Sequence, residues 1–188
     1  MVLTKTMENV KELLTADDFW QMGSRGDHFE LVRGELIEMT PPGGIHGSAA
    51  VNLGFLLLGF VKQKHLGFVM TETGYKLASN PDTVRGPDIS FLSANKIPPG
   101  GLPEGYIDGP PDLAAEIVSP GDTASEIQDK VQDYLASGTQ LVWVVYPQQR
   151  LVIVYHPDGT AQTLRETDTL SGETVLPGFS CQVADIFG

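Results

Sequence analysis

The run Leu141-Val142-Trp143-Val144-Val145-Tyr146 is almost wholly apolar. A strand of that kind has no polar face to turn to water, so it belongs at the centre of a sheet covered on both sides. Two helical patterns supply the cover. From Ser48 to about Lys64, Ala49, Leu53, Leu56, Leu57, Phe60 and Val61 recur at helical spacing, with Gly67 as the expected stop. Thr123-Ala124-Ser125-Glu126 has the form of a capping box, and Ile127, Val131, Tyr134 and Leu135 make an inward stripe that ends at Gly138. Further strands are expected over 68–72, 75–78, 87–92 and 112–118, and Arg150 to Tyr155 pairs beside the central strand through Pro147-Gln148-Gln149. Phe29–Val32 and Glu35–Met39 alternate about Arg33-Gly34 as a β-hairpin, after a short helix capped by Thr15 and ended by Gly23. Residues 1 to 14 read as a frayed start, Pro98 to Pro111 as a loop, and the tail as added short strands with a last turn of helix. The expected fold class is α/β, one mixed sheet with helices on its faces, in a single domain spanning residues 1–188.

Composition matters for function. The single cysteine, Cys181, excludes an internal disulfide framework, and no secretory leader opens the chain, so a reducing cytoplasm is the expected setting. The longest apolar stretch, Val51 to Val61, is short for a bilayer and is interrupted by Asn52 and two glycines, so no membrane span is expected. A formal net charge of -12 opposes the usual footprint of a nucleic-acid binder. It leaves room for a local basic groove around Lys62, Lys64, Arg85, Lys96 and Lys130, and an enzyme that recruits divalent cations needs carboxylates. His28, His65 and His156 lack metal-ligand spacing, which argues against zinc, and the proline after Ser119 argues against a nucleophile elbow.

Two carboxylates stand where an ionised group is costly. Asp88 opens the run after Arg85-Gly86-Pro87, and Glu116 interrupts Ala114-Ala115-Glu116-Ile117-Val118, sharing a strand face with Ala114 and Val118. Asp88 also fits a turn residue that bonds only backbone. Lys130 lies three residues after Ile127 and four before Tyr134, at the border of the helix face that packs on the sheet. Two carboxylates at neighbouring strand ends can hold a hard divalent cation, with Mg²⁺ the natural candidate, and an adjacent ammonium can orient a water or offset charge on a transferred phosphoryl group. His46 stands ahead of the long helix, where it either approaches a phosphate or shuttles a proton, or else caps and packs.

The order Pro87-Asp88, Ala115-Glu116-Ile117-Val118 and a lysine on the next helix resembles the PD-(D/E)-x-K nuclease superfamily with its lysine displaced, since Val118 occupies the usual lysine position. More narrowly, the chain resembles the bacterial Uma family of restriction-endonuclease-like proteins. The matching segments include Phe29–Leu36, Pro41–Gly47, Val84–Asp88, Pro111–Pro120, Lys130–Tyr134, Val142–Val145 and Leu176–Phe179. The resemblance implies a restriction-endonuclease-like core, a mixed central sheet flanked by helices with an N-terminal hairpin and added C-terminal strands. It implies Asp88 and Glu116 as metal ligands, the Ile117 carbonyl completing the shell, Lys130 as the catalytic lysine, Mg²⁺ with Mn²⁺ as substitute, and DNA as substrate. Glu35 is either a further acidic member of the site or a solvent-facing hairpin residue. A homodimer acting on two strands is compatible with the resemblance. The rival reading is a non-catalytic regulatory or oligomerising module that keeps the fold, and a Lys130 pointing into solvent would favour it.

Overall fold

The protein is described by a computed structural model covering residues 13–26 and 28–188, so the frayed start falls almost wholly outside the described residues. Helix α1 (Ala16–Gln21) opens with a capping box in which Thr15 and Asp18 bond each other's backbone amides. The hairpin β1 (Phe29–Val32) and β2 (Glu35–Glu38) turns through Arg33 and Gly34, both at positive φ, as a two-residue hairpin of this hand requires. Helix α2 (Gly44–Lys64) starts four residues earlier than its apolar spacing predicts. Its N-cap is Gly43, which has no side chain to mark the start, and Gly44 and Gly47 depress local helix propensity. His65, in the left-handed conformation, ends the helix in place of Gly67. Gly67 instead opens β3 (Gly67–Met70), where a Cβ would collide with the Leu92 carbonyl.

Strands β4 (Tyr75–Ala78), β5 (Thr83–Arg85), β6 (Ile89–Ser93), β7 (Ile107–Asp108) and β8 (Leu113–Ile117) lead into helix α3 (Ala124–Ser137). After it come β9 (Leu141–Tyr146), β10 (Leu151–Tyr155), β11 (Ala161–Arg165), β12 (Thr169–Ser171), β13 (Ser180–Gln182) and a closing turn, α4 (Ala184–Phe187). The described strands form three sheets where one was expected. A five-stranded sheet has the order β2-β1-β5-β4-β7, a six-stranded one β11-β10-β9-β8-β6-β3, and β12 pairs with β13. The division has a local cause. Pro87 has no N–H to give a ladder, so Gly86-Pro87-Asp88 interrupts the strand pattern and carries the chain from the five-stranded sheet to the six-stranded one.

The six-stranded sheet is mixed, with β8 and β9 parallel and joined by α3 and its other neighbours antiparallel. As the apolar run requires, β9 is covered on both faces. On one side Trp143 and Val145 join Leu53, Leu57 and Val61 of α2, and on the other Val142 and Val144 join Ile127, Val131 and Tyr134 of α3. By length and composition α2 is long and apolar enough to cross a membrane, contrary to the expectation from the shorter run, yet one of its faces is spent on this core. Thr123 caps α3 through the Glu126 amide at 3.2 Å, and Glu126 answers to the Thr123 amide at 2.8 Å. Thr123→Ala is expected to cost about 1 kcal/mol, a fall in Tm of about 2–4 °C read by thermal melting.

Candidate active site

Strand alternation places Glu116 on the α3 side of the sheet with Ala114, while Ala115 and Ile117 face α2. The antiparallel pairing of Ile89 with Ala115 then sets Asp88, one residue before β6, beside Glu116. The Ile117 amide donates to Asp88 Oδ2 at 2.6 Å, tying the two strand ends together. Lys130, one turn before Tyr134 on α3, reaches down to this point. Its Nζ lies 2.9 Å from Glu116 Oε2, and the Tyr134 hydroxyl donates to Glu116 Oε1 at 2.7 Å. Glu116 and Lys130 are both buried, at 3% and 9% exposure, so this lysine turns inward. His46, in the first turn of α2 and not ahead of it, directs Nε2 to Asp88 Oδ1 at 3.2 Å, and its buried Nδ1 finds no partner among the described residues.

Asp88, Glu116, Ile117, Lys130 and His46 are thus brought together, and all five line a groove of ≈ 1050 Å³. Glu35 is not brought in. It is exposed at the start of β2, opposite Val32, and does not line the groove. The hairpin's acidic member at the site is Glu30, which sequence reasoning missed because alternation in a hairpin reads its polar positions as solvent-facing. Glu30 is buried, accepts from Arg85 Nη1 at 2.7 Å and the Gly86 amide at 3.0 Å, and stands 3.8 Å from Lys130 Nζ. Arg85 also grips Asp133 of α3, through Nη2 at 2.7 Å and Nε at 3.0 Å. One buried guanidinium therefore clamps the hairpin, the Gly-Pro-Asp segment and the lysine-bearing helix to one another. Arg85 in a β-branched run was the available signal, since a buried arginine demands carboxylates nearby.

Three carboxylates share this small volume, and the electrostatics follow. Burial pushes the Glu116 carboxyl up to about 7 against the attraction of Lys130, and the charges of Asp88 and Glu30 add to the rise. Burial also works against the Lys130 ammonium, but Glu116 and Glu30 outweigh it and hold the amine above the ordinary lysine range. The hydrogen bond to Asp88 raises His46. Each carboxylate has a basic neighbour: Arg85 at Glu30, Lys130 at Glu116 and His46 at Asp88. An aromatic wall also lines the groove, where Tyr106 stacks on Phe19 at 5.5 Å and meets the half-exposed Trp20 edge-on at 5.3 Å.

No three His, Cys, Asp or Glu side chains form a ready-made metal cage among the described residues. A hard divalent ion such as Mg²⁺ is held by one or two carboxylates together with waters and substrate phosphates. The hard oxygen donors of Asp88 and Glu116 fit such an ion. Each Glu116 oxygen accepts only one of the two protein hydrogen bonds and keeps a further lone pair.

The architecture that holds this cluster is nuclease-like. A solved structure of a putative nuclease of the DUF820 group from Anabaena variabilis matches it with a TM-score of 0.82, over 93% of this chain and 97% of that one, at 21% identity. Residues 16–184 match the Uma2 family, described as "Putative restriction endonuclease", and the chain belongs to that family. Among curated proteins there is no match.

Proposed function

We propose that this protein is a divalent-metal-dependent endonuclease that hydrolyses DNA phosphodiester bonds. The observation that carries the reading is the inward-turned Lys130, 2.9 Å from a Glu116 that stands beside Asp88. A lysine exposed on α3 would have left the carboxylates as an ordinary acidic cluster, so this contact supports an enzyme over a non-catalytic module. Family membership supports a nucleic acid as the substrate class.

Asp88 and Glu116 are the residues that would hold Mg²⁺ or Mn²⁺, with the Ile117 carbonyl as a third ligand. Such an ion, when bound, would polarise the phosphodiester and lower the pKa of a water. Lys130 contributes a charge that neither leaves nor wanders, because Glu116 and Glu30 hold its ammonium from two sides. It offsets the negative charge that develops on the phosphoryl oxygens or orients the attacking water. Tyr134 fixes the Glu116 rotamer through its 2.7 Å hydrogen bond. His46, kept protonated more readily by Asp88, sits at the start of a long helix, where it can meet a phosphate or carry a proton.

The test is cleavage of DNA by the purified protein with Mg²⁺ or Mn²⁺. Asp88→Ala, Glu116→Ala and Lys130→Ala are each expected to reduce the rate by about 100-fold or more while circular dichroism still reports a folded chain. Full activity in all three variants would sink the residue assignment. No metal-dependent turnover by the wild type would return the protein to the non-catalytic reading.

A further inference from the structure

Helix α2 is apolar on the side turned away from the core as well as on the side that builds it. Val51 is 71% and Phe55 76% exposed, and Leu58 continues the same stripe at 38%. Beside this stripe runs an apolar groove of ≈ 240 Å³, floored by Gly54 and Ile89 and walled by Val51, Leu58 and Val69. The groove ends on β3, the terminal strand of the six-stranded sheet, and no described strand pairs with its outer edge. An exposed apolar stripe next to an open sheet edge is what proteins cover with a partner.

We propose that the occupant is a second copy of this chain, packed through α2 about a twofold axis near Phe55. Three observations favour a copy over other partners. The stripe is self-complementary, because Val51 and Gly59 lie four residues either side of Phe55. Antiparallel pairing of two α2 helices sets each Val51 over the partner's Gly59, where an added Cβ meets nothing within 4 Å, and brings each Phe55 ring to the other's groove. Helix α2 also contains none of the chain's 24 acidic residues, so two copies of net charge -12 meet there without carboxylate facing carboxylate. Finally, the exposed parts of Val51, Phe55 and Leu58, with the flanking Ile45 and the stem of Lys62, offer on the order of 500 Å² per copy, close to the ~1,000 Å² in total that a specific interface requires. A lipid surface fits less well, because the opposite face of α2 is locked into the core by Leu53, Leu57 and Val61. The dimer places both copies' grooves in one particle, and it stands or falls separately from the nuclease reading.

Size-exclusion chromatography with light scattering is expected to give the wild type a mass twice the 20.3 kDa of the chain. Phe55→Glu and Val51→Glu, both at solvent-exposed positions of the single copy, are expected to elute as monomers with unchanged circular dichroism. In a Phe55→Cys variant, mild oxidation is expected to link two copies through position 55, since the native Cys181 is buried. A wild type that stays monomeric at all accessible concentrations overturns the proposal, as does a Phe55→Glu variant that remains dimeric. Flotation of the wild type with lipid vesicles, lost in Phe55→Glu, also overturns it and assigns the stripe to a membrane surface.

Discussion

Lys130→Met is expected to abolish metal-dependent cleavage and to lower stability at neutral pH by about 3–5 kcal/mol, because it strips the cation from a buried pair and leaves Glu116 uncompensated. Methionine fills nearly the volume of the lysine stem, so lost packing is a small part of the effect. The size of the loss depends on pH. In the wild type burial already lifts the Glu116 carboxyl from 4.5 to about 7. Without the ammonium it rises further, so the folded variant binds a proton that the unfolded chain releases above its ordinary carboxyl pKa. Stability from that proton is complete below the unfolded value and is lost as pH climbs through the folded one. The variant's deficit should therefore be smallest near pH 5 and largest above pH 7, as chemical denaturation at several pH values will show. A deficit independent of pH would mean that Glu116 does not depend on Lys130.

Arg85→Met is expected to be comparably severe, although Arg85 touches neither metal ligand. It leaves Glu30 and Asp133 buried or half-buried without their 2.7 Å partner, at a cost of about 3–5 kcal/mol and a fall in Tm of about 10 °C. The charge cluster also makes a second, more specific prediction. Arg85→Met combined with Glu30→Gln and Asp133→Asn should recover much of the stability, because no charge is then stranded, but should not recover cleavage, because the hairpin and helix α3 lose the guanidinium that joins them. A single Arg85→Met variant that melts within about 2 °C of wild type would refute the clamp.

The elements most legible from sequence were those whose signals are local. The capping box at Thr123, the glycine stop at Gly138 and the two-sided apolar strand at Leu141–Tyr146 each answer to chemistry within a few residues. What was lost depended on long-range partners or on glycine. The early start of α2 lies in Gly43-Gly44, which carry no capping side chain, and β5 and β7 are too short for any period to register. The site divides the same way. Glu116 could be picked out because strand periodicity put a charge where charge is expensive, and Asp88 and Lys130 joined it through the combination of two carboxylates with a lysine and the resemblance in their order. Glu30 could not, because its burial is created by Arg85, 55 residues away. Tyr134 read as a core aromatic, and only the fold shows that its hydroxyl ends on Glu116.

The chain's two tryptophans occupy opposite environments: Trp143 is sealed inside the sheet–helix core, with an indole N–H that meets no partner among the described residues, and Trp20 stands half-exposed on the aromatic wall of the groove. Their emission should therefore separate by colour and by quenching. Trp143 should fluoresce in the blue and stay out of reach of iodide or acrylamide until the core opens, while red-shifted Trp20 should dim as soon as a base or a quencher enters the groove. A single unlabelled sample thus carries one optical reporter of occupancy and another of unfolding.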